Sequence, residues 1–362
     1  MFGIRCRLQT VFQHLYKTKI LYTNNFCCLS GYAITYKEYG DPNSVLERTE
    51  YDVPDKLEGG QVLLRMLAAP VNPADINMIQ GKYAIKPKLP AIGGNEGVAE
   101  VLKVGSLVKN LKVGAWVIPA SAGWGTWKTL CVCNEDEVTK IDETIPLISA
   151  STAAVNPCTA YRMIKDFENV EGGSIIQNGA NSGVGQAVIQ IAKYLKINTI
   201  NVIRDRPNLE SLKSYLMSLG ATYVVTENEL RTPTMSDIFK NIPKPKLGLN
   251  CVGGKSAAEL IRHMADKGTL VTYGGMSKQP LTISTACLIF NDIRLRGYWM
   301  THWNHIHSNE DRTAMLEEIT NIIKRGNLKP PVYREVKFDN FKDAVAKSME
   351  AYISEKQILV MK

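Results

Sequence analysis

The sequence predicts an α/β protein built of two unlike units, a β-rich first half followed by a doubly wound parallel sheet. Three observations carry this expectation. Between about residues 32 and 138, short apolar runs are broken at close intervals by Gly, Pro and Asn, the rhythm of an all-β, partly barrel-like unit. After Asn156-Pro157 the rhythm changes to strands alternating with amphipathic helices, which specifies a parallel sheet covered on both faces. The 362 residues, 45% apolar and 22% charged, suffice for two domains with a core each.

Taken in order, the strands of the first unit are expected in "YAITYKEYG", "QVLLRML", "GVAEVLKVG", "VGAWVIPA" and "TWKTLCVC". In the second unit "GGSIIQNGA" is a short apolar strand, and Val184, Val188, Ile191 and Leu195 follow at helical spacing. "INTINVI", a helix from about Pro207 to Leu219 closed by Gly220, "TYVVT", "LGLNCVGG", a helix around Ser256 to Met264, "GTLVTYGG" and "IRLRGYW" continue the alternation. From about Thr313 the chain holds two more helices, separated by a turn-rich stretch with Pro330 and Pro331, and a last strand "KQILVM". These do not extend the alternating unit, so the chain is expected to return to the first. The divisions are residues 30–155, 156–312 and a returning 313–362.

The formal net charge is +8, and Arg5, Arg7, Lys17 and Lys19 supply four of those charges before the first acid, Glu38. The excess in the body is therefore mild and requires no nucleic-acid partner. An acid-free N-terminus with Ile4, Leu8, Val11, Phe12 and Leu15 on one helical face fits a mitochondrial presequence over residues 1–29. No run approaches the roughly 18 apolar residues of a membrane span. The eight cysteines include no CxxC pair, so neither a disulfide framework nor a zinc ribbon is indicated. Cys131 and Cys133 share one face of a strand and read as packing residues.

"NGANSGVGQAVIQIAK" sets small residues between an apolar strand and an amphipathic helix, so that N–H groups at the helix start can approach a pyrophosphate. In register with Gly185, the other two glycine positions of a dinucleotide fingerprint are Ala180 and Ser182. The next strand ends in Arg204-Asp205-Arg206, where an NAD site carries an acid for the ribose hydroxyls. Two guanidiniums there suit a 2′-phosphate and favour NADPH; Asp205 between them leaves the NAD alternative open.

The strings "VNPADINMIQGKY", "GGNEGVAEV", "VNPCTAYRM", "NGANSGVGQ", "NCVGGKS", "VTYGGMSKQP", "LRGYW" and "SEKQILVM" together resemble the mitochondrial enoyl-thioester reductases, a zinc-free branch of the medium-chain dehydrogenase/reductase superfamily. The resemblance implies a GroES-like catalytic domain plus a Rossmann cofactor domain. It also implies NADPH-dependent reduction of trans-2-enoyl-CoA or enoyl-acyl-carrier-protein in fatty-acid synthesis, in the mitochondrial matrix, by a homodimer. Zinc-dependent members of the superfamily take metal from a Cys and from the His of a Gly-His-Glu string; the matching strings here read Val71-Asn72-Pro73-Ala74-Asp75 and Gly94-Asn95-Glu96. An amide is a poor zinc ligand, so no metal is expected. His302, His305 and His307 read as a solvated loop ahead of a helix.

Carried over by that resemblance, the proton donor is Tyr83, and a phenol suits the task of delivering a proton to carbon. Asn156 matches a contact near the nicotinamide; Ser182, Gly183, Val184 and Gly185 match the pyrophosphate turn; Arg204, Asp205 and Arg206 match the 2′-phosphate segment. Tyr273, Gly274, Gly275 and Met276 follow one strand end, Tyr298, Trp299 and Met300 the next, and Lys356 precedes the last strand; all are implied cofactor contacts. For Met300 and Lys356, packing and a solvated strand end stay open. Lys82, Lys86 and Lys88 around Tyr83 suit an anionic carrier or are simply solvated. Alternatives to the enoyl reductase are a zinc-free quinone or alkenone reductase and a non-catalytic NADPH-binding partner protein.

Overall fold

A computed structural model of the chain describes residues 28–361. The expected presequence lies outside the described residues, save its last two. There the strand Cys28–Tyr36 has already begun, with Cys28 opposite Pro54 and Leu29 opposite Val53, so a boundary after residue 29 would cut into a paired strand.

The first unit contains a three-stranded sheet, with Cys28–Tyr36 between Glu47–Pro54 and Ala91–Ile92, and a seven-stranded sheet centred on Gln61–Pro70. Gln61–Pro70 is apolar almost throughout because both its faces are covered. Val62, Leu64 and Met66 point into the core of the first unit, and Ala68 into a core shared with the second. It pairs antiparallel with Val98–Val104, with two register shifts, and with Leu130–Asn134. The strand Glu47–Pro54 escapes the sequence pattern: "ERTEYDVP" buries little but Val53 and shows no apolar alternation. Cys131 and Cys133 are buried on one face of their strand, where burial pushes their thiols up to about 11 and about 12.

The second unit is a six-stranded, all-parallel sheet. Its order is Tyr223–Thr226, Asn198–Ile203, Ser174–Asn178, Leu247–Asn250, Thr269–Thr272, Arg294–Gly297. In chain order that is third, second, first, fourth, fifth, sixth, the doubly wound arrangement whose crevice opens where the order reverses. The reversal falls between Ser174–Asn178 and Leu247–Asn250. Two buried asparagines close the strand ends there: Asn178 Nδ2 donates to Asn250 Oδ1 at 2.8 Å, and Cys251 N donates to Asn178 Oδ1 at 2.8 Å.

The chain then returns. Lys356–Val360 inserts between Tyr333–Lys337 and Gln61–Pro70, pairing Ile358 with Pro70 and Val360 with Ala68. The helix Asn309–Lys324 starts on a capping box, Ser308 with Asp311, and crosses the expected boundary at 312. Its buried Arg312 donates to the carbonyls of Pro119 and Ala120 in the first unit. Ala68, Val98, Ile118 and Ile358 of one sheet share a continuous core with Ile175, Leu249 and Val271 of the other.

One expectation is corrected. Residues 302–306 are not a loop: Met300–Ile306 is a helix, because Met300 and Trp303 face the core at helical spacing. His302 and His305 lie on its exposed side, while His307 stacks on Trp303 with ring centroids 4.1 Å apart.

Candidate active site

The crevice is built first by the turn after Ser174–Asn178. Gly179 takes φ +59°, and a Cβ there would lie 2.4 Å from Cys251 Sγ. This glycine, not Ala180, makes the sharp exit from the strand, a need no three-glycine register reveals. Ser182 is the N-cap of the helix Gly183–Tyr194, its Oγ accepting from Gly185 N at 3.1 Å. A Cβ on Gly185 would meet the Ala180 carbonyl oxygen at 2.6 Å, and one on Gly183 would meet Asn156 Nδ2 at 2.7 Å. At Gly185 backbone approaches backbone, at Gly183 the Asn156 amide approaches it, and the open helix N-terminus is suited to an anion.

Asn156 opens the helix Asn156–Asp166, with Pro157 in the first turn where its missing N–H costs nothing. The side chain of Asn156 thus sits directly against Gly183 of the turn. Tyr273 follows the fifth strand; its buried hydroxyl has no hydrogen-bond partner among the described residues, and burial raises its pKa well above the ordinary value. Cys251 and Ser182 lie near enough to act on its ionisation, so the enclosed phenol faces the turn. Gly274 packs against Cys251, whereas Gly275 and Met276 are exposed beside the turn. Arg204 and Asp205 are exposed at the end of the second strand, with Arg206 half-buried. Asp205 accepts from Asn228 Nδ2 at 3.2 Å, so its carboxylate is already engaged.

Not every expected residue is available to a ligand. Met300 is 8% exposed and packs into the shared core. Tyr298 stands edge-on to Phe167, with its hydroxyl 3.1 Å from Met300 Sδ. Trp299, between them, is 40% exposed. Its Nε1 donates to Tyr83 Oη at 2.9 Å, and the two rings meet edge to face with centroids 6.2 Å apart. The loop that carries Tyr83 in the first unit thus meets the end of the sixth parallel strand. Burial raises the Tyr83 pKa and the Asp75 charge adds to that, against the Trp299 hydrogen bond, which lowers it. Tyr83 is a protonated phenol at neutral pH.

Beneath this contact lies a buried polar cluster that sequence reading missed, because its members come from distant segments. Asn72 N donates to Asp75 Oδ2 at 2.7 Å in the capping box of the helix Pro73–Ile79, and Asn72 Nδ2 donates to Glu96 Oε2 at 2.9 Å. Glu96 Oε1 accepts from Val155 N at 2.8 Å, directly before Asn156. Half-buried Lys356 donates to Asn72 Oδ1. Burial lowers the Lys356 pKa, with Glu96 and Asp75 pulling it back. Burial also lifts the carboxyls of Asp75 to about 6 and Glu96 to about 7. Asn95, at the position where a zinc relative would carry His, donates to Asp75 Oδ1 at 2.6 Å and accepts from Gly123 N at 2.6 Å. Among the described residues, no three His, Cys, Asp or Glu side chains converge as metal ligands.

Comparison with known proteins agrees with this architecture. The alcohol dehydrogenase GroES-like domain matches residues 58–143, and the zinc-binding dehydrogenase family matches residues 183–321. The mitochondrial enoyl-acyl-carrier-protein reductase of Mus musculus is 53% identical over 330 residues, which cover 91% of this chain and 88% of that one. A solved Etr1p complex with NADP and crotonyl-CoA superposes with a TM-score of 0.86 at 36% identity, covering 92% of this chain and all of that one. The mitochondrial 2-enoyl thioester reductase Etr1p/Etr2p heterodimer from Candida tropicalis gives 0.85 at 35% identity, with the same coverage.

Proposed function

The chain belongs to the mitochondrial enoyl-acyl-carrier-protein reductases of the medium-chain dehydrogenase/reductase superfamily, and from that premise we propose that it reduces trans-2-enoyl thioesters with NADPH in the mitochondrial matrix, with Tyr83 as proton donor. The observation that carries the role of Tyr83 is its hydrogen bond from Trp299. It sets a protonated phenol at the carboxyl ends of the parallel strands, where such sheets bind their ligands.

The residues of the crevice fit NADPH. Ser182, Gly183, Val184 and Gly185 would hold the pyrophosphate at the helix N-terminus, Arg204 and Arg206 the 2′-phosphate, and Asn156, Tyr273 and Lys356 the stretch between turn and nicotinamide. Gly274, Gly275 and Met276 would border it. When bound, this cofactor supplies the hydride for the β-carbon. Tyr83 gives its proton to the α-carbon, and Trp299 Nε1–H steadies the negative charge left on the phenolic oxygen, a donor aimed where charge develops. Because burial keeps the Tyr83 proton on, it leaves only toward a carbon that has become basic. Asp205, turned to Asn228, does not recruit NADH.

On this reading, exposed Lys82, Lys86 and Lys88 on the same loop steer the anionic carrier, coenzyme A or acyl carrier protein. The edge strand Arg294–Gly297 is exposed throughout, beside Ile289 at 67% and Phe290 at 79% exposure. An open sheet edge flanked by apolar side chains favours pairing with a second copy, in line with a homodimer. The divisions that go with this are a catalytic unit of the first sheets plus the returning strand, and a cofactor unit of the parallel sheet.

The test is steady-state oxidation of NADPH with crotonyl-CoA by wild type and Tyr83→Phe. The variant is expected to lose roughly 10²- to 10⁴-fold in kcat while its NADPH affinity holds. Near-normal turnover removes Tyr83 from the chemistry; turnover with a quinone but no enoyl thioester overturns the reductase reading itself.

A further inference from the structure

Tyr352 lies in the chain return, four residues ahead of Lys356, and reaches the arginine pair of the cofactor unit. Its ring centroid is 5.1 Å from the guanidinium carbon of Arg204 and 5.3 Å from that of Arg206. Its backbone carbonyl accepts from Arg206 Nη2. Tyr352 also holds φ +60°, in the left-handed region, where a bulky aromatic is an outlier and Gly or Asn would sit without strain. An aromatic kept in such a conformation, half exposed and between two cations, points to a use for the ring.

We propose that Tyr352 sets the selectivity of the cofactor site for an adenosine that carries a 2′-phosphate, by holding Arg204 and Arg206 as a fork. The proposal rests on the NADPH reading of the site and adds to it a residue from the other unit of the protein. A guanidinium attracted to an aromatic face keeps N–H donors on its edge, and those are the groups a phosphate takes in pairs. Arginines already ordered lose less freedom when the phosphate arrives, so the gain falls on NADPH. NADH, without that phosphate, gains nothing from the fork. The Arg204-Asp205-Arg206 string gives no sign of this, since the ring that orders it comes from the far end of the chain.

The experiment is direct binding, which is independent of any enoyl substrate. NADPH, NADH and adenosine 2′,5′-bisphosphate are titrated into the full-length protein and into Tyr352→Ala, Tyr352→Leu, Tyr352→Phe and Arg204→Ala. Tyr352→Ala and Tyr352→Leu are expected to weaken NADPH and the bisphosphate about ten-fold, or about 1.4 kcal/mol, with NADH within about two-fold of wild type. Tyr352→Phe keeps the ring and the carbonyl and is expected to keep the selectivity. A ratio of NADPH to NADH affinity that falls in Arg204→Ala but not in Tyr352→Ala and Tyr352→Leu overturns the role of Tyr352 alone. A ratio unchanged in Arg204→Ala overturns the arginine reading and the proposal with it. Equal weakening of both cofactors in the Tyr352 variants, or a Phe variant as impaired as Ala, also overturns it.

Discussion

Replacing Asn95 by Ala removes two strong hydrogen bonds at once, besides a weaker one from Nδ2 to Met78 Sδ. One runs from Nδ2 to the buried carboxylate of Asp75, the other from Gly123 N to Oδ1, each 2.6 Å long. A bond to a charged group contributes about 1.5 to 3 kcal/mol, and a buried N–H left without an acceptor costs a comparable amount. The two overlap in a site that relaxes, so a loss of about 3 kcal/mol at pH 8 is expected. The loss also depends on pH. Burial raises Asp75 from its ordinary 3.8 to about 6, against the Asn72 and Asn95 hydrogen bonds that lower it. Folding therefore favours the protonated acid, and that contribution is complete below about pH 4 and lost as pH rises through about 6. Without Asn95 the folded pKa climbs further, and each added unit costs about 1.4 kcal/mol above it. At pH 5 Asp75 is largely protonated in both proteins, and the deficit of the variant shrinks to about half. Equilibrium urea denaturation, followed by tryptophan fluorescence at pH 5 and pH 8, measures both values. A deficit under about 0.5 kcal/mol at pH 8, or one equal at the two pH values, refutes the reasoning.

Other outcomes follow from the same geometry. Gly185→Ala forces a Cβ to within 2.6 Å of the Ala180 carbonyl oxygen, which is expected to cost about 1 to 3 kcal/mol of stability and to weaken NADPH; an unchanged melting midpoint speaks against the close approach. Trp299→Phe keeps an aromatic ring, though a smaller one, and removes the donor to Tyr83; it is expected to lower kcat by roughly two- to ten-fold at constant NADPH affinity. The opposite pattern would make Trp299 a cofactor contact only. Cys131 and Cys133, with thiols pushed up to about 11 and about 12 by burial, should stay unmodified by iodoacetamide at pH 7.5 in the native protein, as read by mass spectrometry. Phe290→Glu, on a side chain 79% exposed, should shift the species seen by sedimentation toward monomer.

Much of the fold was legible because its strands are apolar runs punctuated by turn residues. "SIIQN", "NTINVI" and "LGLN" are buried throughout or nearly so, and Gly220 stops its helix in the left-handed conformation at φ +111°. Glu47–Pro54 was not legible, since a strand that lies mostly in solvent carries no apolar rhythm. The helix Met300–Ile306 was hidden by its polar residues, its two anchors being Met300 and Trp303. At the site, the turn around Ser182 could be read locally because strand, turn and helix are consecutive. The cluster of Asn72, Asp75, Asn95, Glu96 and Lys356 could not, for it is assembled from three stretches of chain whose proximity only the tertiary fold supplies. Tyr352 was invisible for the same reason.

The placement of Lys356–Val360 inside the seven-stranded sheet has a consequence for the birth of the protein. The first unit lacks an interior strand until Lys356–Val360 has been made, after every strand of the parallel sheet, so it cannot complete its hydrogen-bonded ladder before then. The parallel sheet, continuous in sequence, faces no such delay. It is therefore expected to be folded while the first unit still waits with the edges of Gln61–Pro70 and Tyr333–Lys337 open, the kind of exposed edge that chaperones guard. The same strand that fills the sheet of the first unit also brings Lys356 near Gly183 in the turn after Ser174–Asn178.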